Sequence, residues 1–226
     1  MNRKKITIFS IVLNLTLVSF VGCLSIDKEK TLEGFSGLEL DLSSNEYARA
    51  EEELRSVTEQ LEIENIKTQI ESINKKDLTD ALSKLKLGIL YHEASLLSAN
   101  NPEYSKISFS ILSNSDLRNS IGKEYLPFLF SYLASARSLQ GRDTSSLNYL
   151  KDAFWILDQL VLKSKDKTGI ALFLRGSISE NLPWIFGKSS VAKSDFQEII
   201  QSQKKDSFIN YINFGWRINN RWNFKL

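Results

Sequence analysis

The stretch "LKLGILYH", residues 85–92, decides how the rest of the chain is read. Its apolar residues belong to a longer set, Leu78, Leu82, Leu85, Ile89 and then His92 or Leu96, which falls on one face of a helix. Asp77 or Thr79 is placed to cap its start. Gly88 sits inside that periodic run. A glycine inside a helix lowers helical stability, so it calls for a packing reason. Small residues recur in comparable runs downstream: Ala134 in "YLASARSL" (132–139) and Gly176 in "FLRGSI" (173–178). The spacings from Gly88 are 46 and then 42 residues, which suggests an internal repeat of helical hairpins.

Breaks fall between the helical runs. Asn100-Asn101-Pro102 ends the first, and Pro102 suits the first turn of the next helix, which carries Tyr104, Ile107, Ile111 and Leu112. Asn114 and Ser115 interrupt again. A further helix runs through Tyr125, Phe128, Leu129, Tyr132, Leu133 and Leu139, with Gly141 as its left-handed cap. Its partner begins near Ser145 and carries Leu147, Leu150, Ala153, Phe154, Leu157 and Leu160. Lys163 to Lys167 form a charged loop. Ile170–Ile178 and a last helix with Ala192, Phe196, Ile199 and Ile200 complete the series.

Leu87-Gly88-x-x-Tyr91 resembles the first-helix core of a tetratricopeptide repeat. In that repeat the small residue lets the second helix cross closely. By the same likeness Leu150 and Ala153, and later Ala192 and Phe196, form the large-small pairs that pack back. The third unit needs a four-residue insertion at the corner Asn181–Trp184. Residues 79–203 also resemble a group of bacterial helical-repeat proteins in Leu87–His92, Tyr132–Ala136 and Leu174–Phe196. The resemblance implies an all-α fold of antiparallel hairpins stacked as a tetratricopeptide-like array, and in exported members an interaction role. The concave side would be the binding surface, with Tyr91, Tyr132 and Arg175 on it.

The N-terminus carries a different signal. Arg3, Lys4 and Lys5 precede an apolar stretch from Ile6 to Phe20, which ends Val21-Gly22-Cys23. This is the layout of a secretory signal peptide over residues 1–22. With Cys23, the chain's single cysteine, directly after Gly22, the segment resembles the lipobox of bacterial lipoproteins, although Phe20 stands where that family usually has Leu. The resemblance implies acylation of Cys23 and anchoring of the chain to a membrane of the bacterial envelope, facing the periplasm or exterior. An uncleaved anchor and an ordinary signal peptide are the alternatives. The apolar run is shorter than the ~20 residues of a spanning helix.

Charge follows from the same division. Three of the 29 basic side chains and none of the 27 acidic ones precede Cys23, so the chain from Cys23 onward carries net −1. The basic balance belongs to the signal, and a nucleic-acid reading loses its support. A tether over 23–44 follows. Residues 45–78 form an acidic amphipathic helix or two. Leu54, Val57 and Leu61 keep one phase, and Ile63, Ile66, Ile70 and Ile73 another, with the shift near Glu62. The acidic run reads as a solvated face.

Two stretches resist the repeat. The corner "LFLRGSISENLPWIFGK", residues 172–188, is expected to pack Leu182, Trp184, Ile185 and Phe186 across helix ends. Arg175 is expected to reach terminal carbonyls or an acid such as Asp195, with an anion clamp as the alternative. The C-terminal stretch 204–226 alternates Phe214, Trp216 and Ile218, then Trp222, Phe224 and Leu226. That pattern predicts a short aromatic β-hairpin capping the array or meeting a partner through Trp216 and Trp222; an aromatic helix is the alternative.

No phosphate loop, nucleophile elbow or metalloprotease motif is present in the sequence. His92 is the only histidine, and it reads as a packed helix residue with Glu93 about 100° away around the helix. The expectation is a non-catalytic protein-interaction scaffold without metal or cofactor. A small-ligand-binding accessory subunit of a solute transporter is the alternative, and an enzyme using Arg175 with carboxylates a third.

Overall fold

A computed structural model describes residues 44–58, 62–75, 80–98, 101–164 and 169–201. The signal segment, Cys23, the tether before residue 44, the caps Asp77 and Thr79, and the aromatic stretch with Trp216 and Trp222 lie outside the described residues. Within them the chain is all-α. The helices are α1 (Ser44–Thr58), α2 (Ile63–Asn74), α3 (Ala81–Leu97), α4 (Pro102–Leu112), α5 (Ser115–Ser120), α6 (Leu126–Thr144), α7 (Leu147–Ser164), α8 (Ile170–Asn181) and α9 (Ser189–Gln201). Short 3-10 turns cover Lys123–Tyr125 and Trp184–Phe186. Among the described residues, no helix is long and apolar enough to cross a membrane.

The three most extensive packings are those within the hairpins α3/α4, α6/α7 and α8/α9. They stack in order: α6 lies on α4 and α3, and α8 lies on α6 and α7. The expected small residues sit in the seams. A Cβ on Gly88 would stand 2.5 Å from Leu112 Cδ2 on α4. A Cβ on Gly176 would stand 2.6 Å from the Phe196 ring on α9. Ser108 strengthens the first seam by donating its hydroxyl to the Gly88 carbonyl at 2.8 Å. Ala134 and Ala192 are fully buried.

Helix starts follow local chemistry. Asp80 caps α3: its carboxylate accepts from the N–H groups of Leu82 and Ser83 at 3.4 and 2.8 Å. Asn101 caps α4, with Pro102 in its first turn. Asn114 accepts from Asp116 and Leu117 N–H, so the residues read as a break begin the short α5. Gly141 does not end α6. The helix runs one turn further, to Thr144, and Ser145 takes the left-handed conformation at φ 55°. Gly141 is small for another reason. A Cβ there would meet Ser146 O at 3.0 Å and Leu150 N at 3.4 Å, where α7 turns back over α6.

The centre is α6. Every residue from Pro127 to Leu139 is buried, polar Ser131, Ser135, Arg137 and Ser138 included, as suits a helix with apolar side chains on every face. It is enclosed by α3, α4, α7, α8 and the 3-10 turn before it. The acidic segment contributes side chains to the same core. Tyr47, Ala50, Leu54 and Val57 of α1 and Ile66 and Ile70 of α2 are buried in one cluster that reaches Ile199. Glu53 accepts the Tyr125 hydroxyl at 2.5 Å.

Candidate functional site

Arg175 lies on α8 between α7 and α9. Its Nε and Nη2 donate to Asp195 Oδ2 and Oδ1 at 2.9 and 2.6 Å, and its Nη1 donates to Asp158 Oδ1 at 2.7 Å. The fork pairs bidentately with the first acid and singly with the second. Asp195 is 2% exposed and Asp158 48% exposed. Burial opposes the arginine charge, but the two carboxylates outweigh it and raise its pKa. Burial pushes the Asp195 carboxyl above its ordinary range, and Arg175 pulls the other way. The expected partner Asp195 is therefore found, and Arg175 fastens α7 and α9 to α8. Its donors are engaged within the chain, so it is not an open anion clamp.

Beside this fastening runs a groove of about 310 Å³, lined by Leu147, Leu150, Phe154, Trp155, Leu182 and Phe186. Lys151, Lys188 and Asp158 complete its walls. Lys188 Nζ lies 4.5 Å above the Phe154 ring, a cation–π placement. The corner that closes one side is not packed down as expected. Trp184 is 87% exposed, Ile185 60% and Phe186 36%. Pro183 sends the chain outward from α8, and Gly187, at φ 62°, turns it into α9. Only Leu182 and Phe186 of the corner reach the groove.

The other polar constellation is deep. His92 is fully buried on α3. Its Nε2 lies 2.7 Å from Ser135 Oγ on α6, and its Nδ1 lies 3.0 Å from Glu93 Oε1. Glu93 bends back to the ring despite its 100° offset. Tyr132 packs edge-on to the imidazole at 5.0 Å between centroids. This order resembles a serine–histidine–carboxylate relay, which sequence reading had no means to find: Ser135 lies 43 positions from His92. A nucleophile, however, needs a substrate against it and donors for the developing oxyanion. Ser135 is 4% exposed, on a buried turn of α6 whose N–H groups serve the helix. The arrangement satisfies buried polar atoms and joins α3 to α6.

Tyr132 is buried, which removes it as a partner contact. Burial, with the Glu93 charge adding, holds its hydroxyl well above the usual tyrosine range. Tyr91 is half-buried against Tyr104, ring centroids 6.1 Å apart. Sequence reading also missed Arg137. It is buried on α6, with its guanidinium 3.5 Å from the Tyr149 centroid and 4.7 Å from that of Phe109. Asp152 stands 3.7 Å away. Among the described residues, no three His, Cys, Asp or Glu side chains converge as metal ligands.

No protein-family model, curated protein or solved structure matches the chain.

Proposed function

We propose that the chain is a lipid-anchored protein of the bacterial envelope that acts as a non-catalytic interaction scaffold. The groove between α7 and the corner is its docking site. Residues 1–23 support the anchoring, through the lipobox likeness at Cys23. The hairpin stack supports the scaffold, as the tetratricopeptide likeness implies. The observation that carries the reading is the groove itself, an open apolar floor of six side chains beside an arginine paired with two acids. Its occupant is a protein segment that presents an apolar ridge flanked by acids. The ridge meets Leu150, Phe154 and Trp155, and the acids meet Lys151 and Lys188. The concave-surface assignment of Tyr132 and Arg175 gives way to this groove.

Photocrosslinking tests it in living cells, with the natural N-terminus retained. A photoreactive side chain at Leu150 should give one discrete protein adduct. The adduct should weaken when Lys151 and Lys188 are both changed to Glu. Adducts no different from those at exposed Lys106 on α4 would sink the reading.

The alternative, a small-ligand-binding accessory subunit, draws on the groove volume, which lies at the low end of ligand sites of ~300–1,000 Å³. Native mass spectrometry that retained an anionic amphiphile of constant mass, lost on Trp155→Ala, would favour it.

A further inference from the structure

The outer part of the corner, Trp184 and Ile185, lies off the groove and calls for its own explanation. Trp184 and Ile185 are the most exposed residues of an uninterrupted apolar run, and neither lines the groove. The run is also held in shape. Phe186 N–H donates to Pro183 O and Gly187 N–H to Trp184 O, both at 3.0 Å. Proline on one side and a left-handed glycine on the other fix the exit angles. A preformed apolar tip presented to water marks an interaction surface.

Charge around the tip narrows the occupant. Half-buried Lys188 follows it after Gly187, exposed Lys151 stands across the groove, and exposed Lys193 lies one turn into α9. Of the nearby acids, Asp158 is taken by Arg175, and half-buried Glu180 stands at the end of α8. A tryptophan-led apolar tip within a lysine rim matches the interface of an anionic bilayer, where tryptophan sits at headgroup depth and lysines meet lipid phosphates. The chain's own C-terminal segment fits less well by charge. It carries Lys204, Lys205, Arg217, Arg221 and Lys225 against one acid, Asp206, and would set cations against cations.

We propose that the Trp184–Phe186 corner is a membrane-contact site that seats in the headgroup layer of an anionic bilayer and turns the neighbouring groove toward the membrane surface. This rests on the anchoring at Cys23 only for reach. The chain between Cys23 and Ser44 spans at most about 70 Å, so an anchored fold stays near the bilayer and a weak contact suffices.

The test labels an Ile185→Cys variant of the full chain, purified from membranes, with an environment-sensitive fluorophore. Lys106→Cys on α4 is the control. Each is reconstituted in vesicles of phosphatidylcholine, with or without phosphatidylglycerol. Mass analysis of the Cys23 peptide reports separately whether that thiol is acylated. A chain without the lipid is mixed with the same vesicles, so the two questions have separate answers. The expected result is a blue-shifted label at 185, quenched by brominated lipid, in phosphatidylglycerol vesicles only. It should be lost on Trp184→Ser and weakened roughly fivefold by each of Lys151→Gln and Lys188→Gln. Circular dichroism should be unchanged in all of these surface variants. A label at 185 as wet as that at 106 in both vesicle types overturns the proposal. A label already dry without vesicles assigns the corner to the chain's own C-terminal segment, and one dried only by added envelope proteins assigns it to a protein partner. Either overturns it equally.

Discussion

Gly88 shows what a single missing methyl does for the fold. Alanine is the better helix former by about 1 kcal/mol, so the glycine is a local loss. The seam with α4 explains it. An added Cβ would stand 2.5 and 2.7 Å from Leu112 Cδ2 and Cγ, and Leu112 is 1% exposed with little room to withdraw. Overpacking of this kind costs about 1–3 kcal/mol and exceeds the propensity gain. Gly88→Ala should therefore lower the urea midpoint, and Leu112→Ala in the same chain should cost less than it does alone. Additive losses would show that the seam has slack. Arg175 makes a second residue-scale case. Arg175→Met leaves Asp195 buried without its counter-charge, a loss of about 3–5 kcal/mol near neutral pH. A carboxyl whose folded pKa lies above its unfolded value near 3.9 binds its proton more tightly when folded. The stability it contributes is present at low pH and is lost as pH rises through the folded value. Burial already raises Asp195, and removal of Arg175 raises it further. The deficit of the variant should shrink on acidification toward pH 4, and Asp195→Asn should recover part of it at pH 7. Melts at the two pH values decide this.

At the scale of elements, α3 depends on its cap and α6 on its surroundings. The Asp80 carboxylate is held below its usual range, first by the Ser83 N–H and hydroxyl and then by Leu82 N–H. A depressed folded pKa gives the opposite sign to Asp195. The contribution is present above the unfolded pKa and is lost as pH falls through the folded value. Asp80→Ala should cost about 1 kcal/mol at pH 7 and much less near pH 3, whereas Asp80→Asn should keep the cap and lose its pH dependence. Thermal melts across that range test both. Much of the hairpin order was legible in the sequence, because Gly88, Gly176, Ala192 and Phe196 carry the seam geometry in their sizes. Asp195 was legible because a buried guanidinium demands an acid. The burial of Tyr132 was legible only in part. "LPFLFSYLASARSL" carries apolar side chains on every face and a single charge, Arg137, which signals a central position and not a concave surface. The misreading of the corner has a different cause. Apolar residues are more often inside than outside, and nothing local to Trp184, Ile185 and Phe186 says that they stand out in water. The meeting of His92 and Ser135 depends on how α6 stacks on α3, which no local pattern encodes.

For the whole molecule the open question is whether the acidic helices and the hairpins melt together. Sequence alone sets residues 45–78 apart by charge. Their apolar face argues for union: Tyr47, Ala50, Leu54 and Val57 recur at helical spacing and all enter the core that also holds Phe128 and Phe196. Polar contact points the same way, since Glu53 accepts from the Tyr125 hydroxyl just before the central helix. α6 then couples the N-terminal helices to α8, on which α9 rests. Leu54→Ala removes a fully buried side chain at a cost of about 2–5 kcal/mol. In one cooperative unit that loss appears wherever amides exchange by global unfolding, however far from residue 54. Hydrogen exchange should show protection in α6 and α8 reduced by the same factor as in α3. A loss confined to α1–α3, with α8 unchanged, would divide the chain into two folding units. It would also return the acidic helices to the role of a detachable spacer between the membrane and the hairpins.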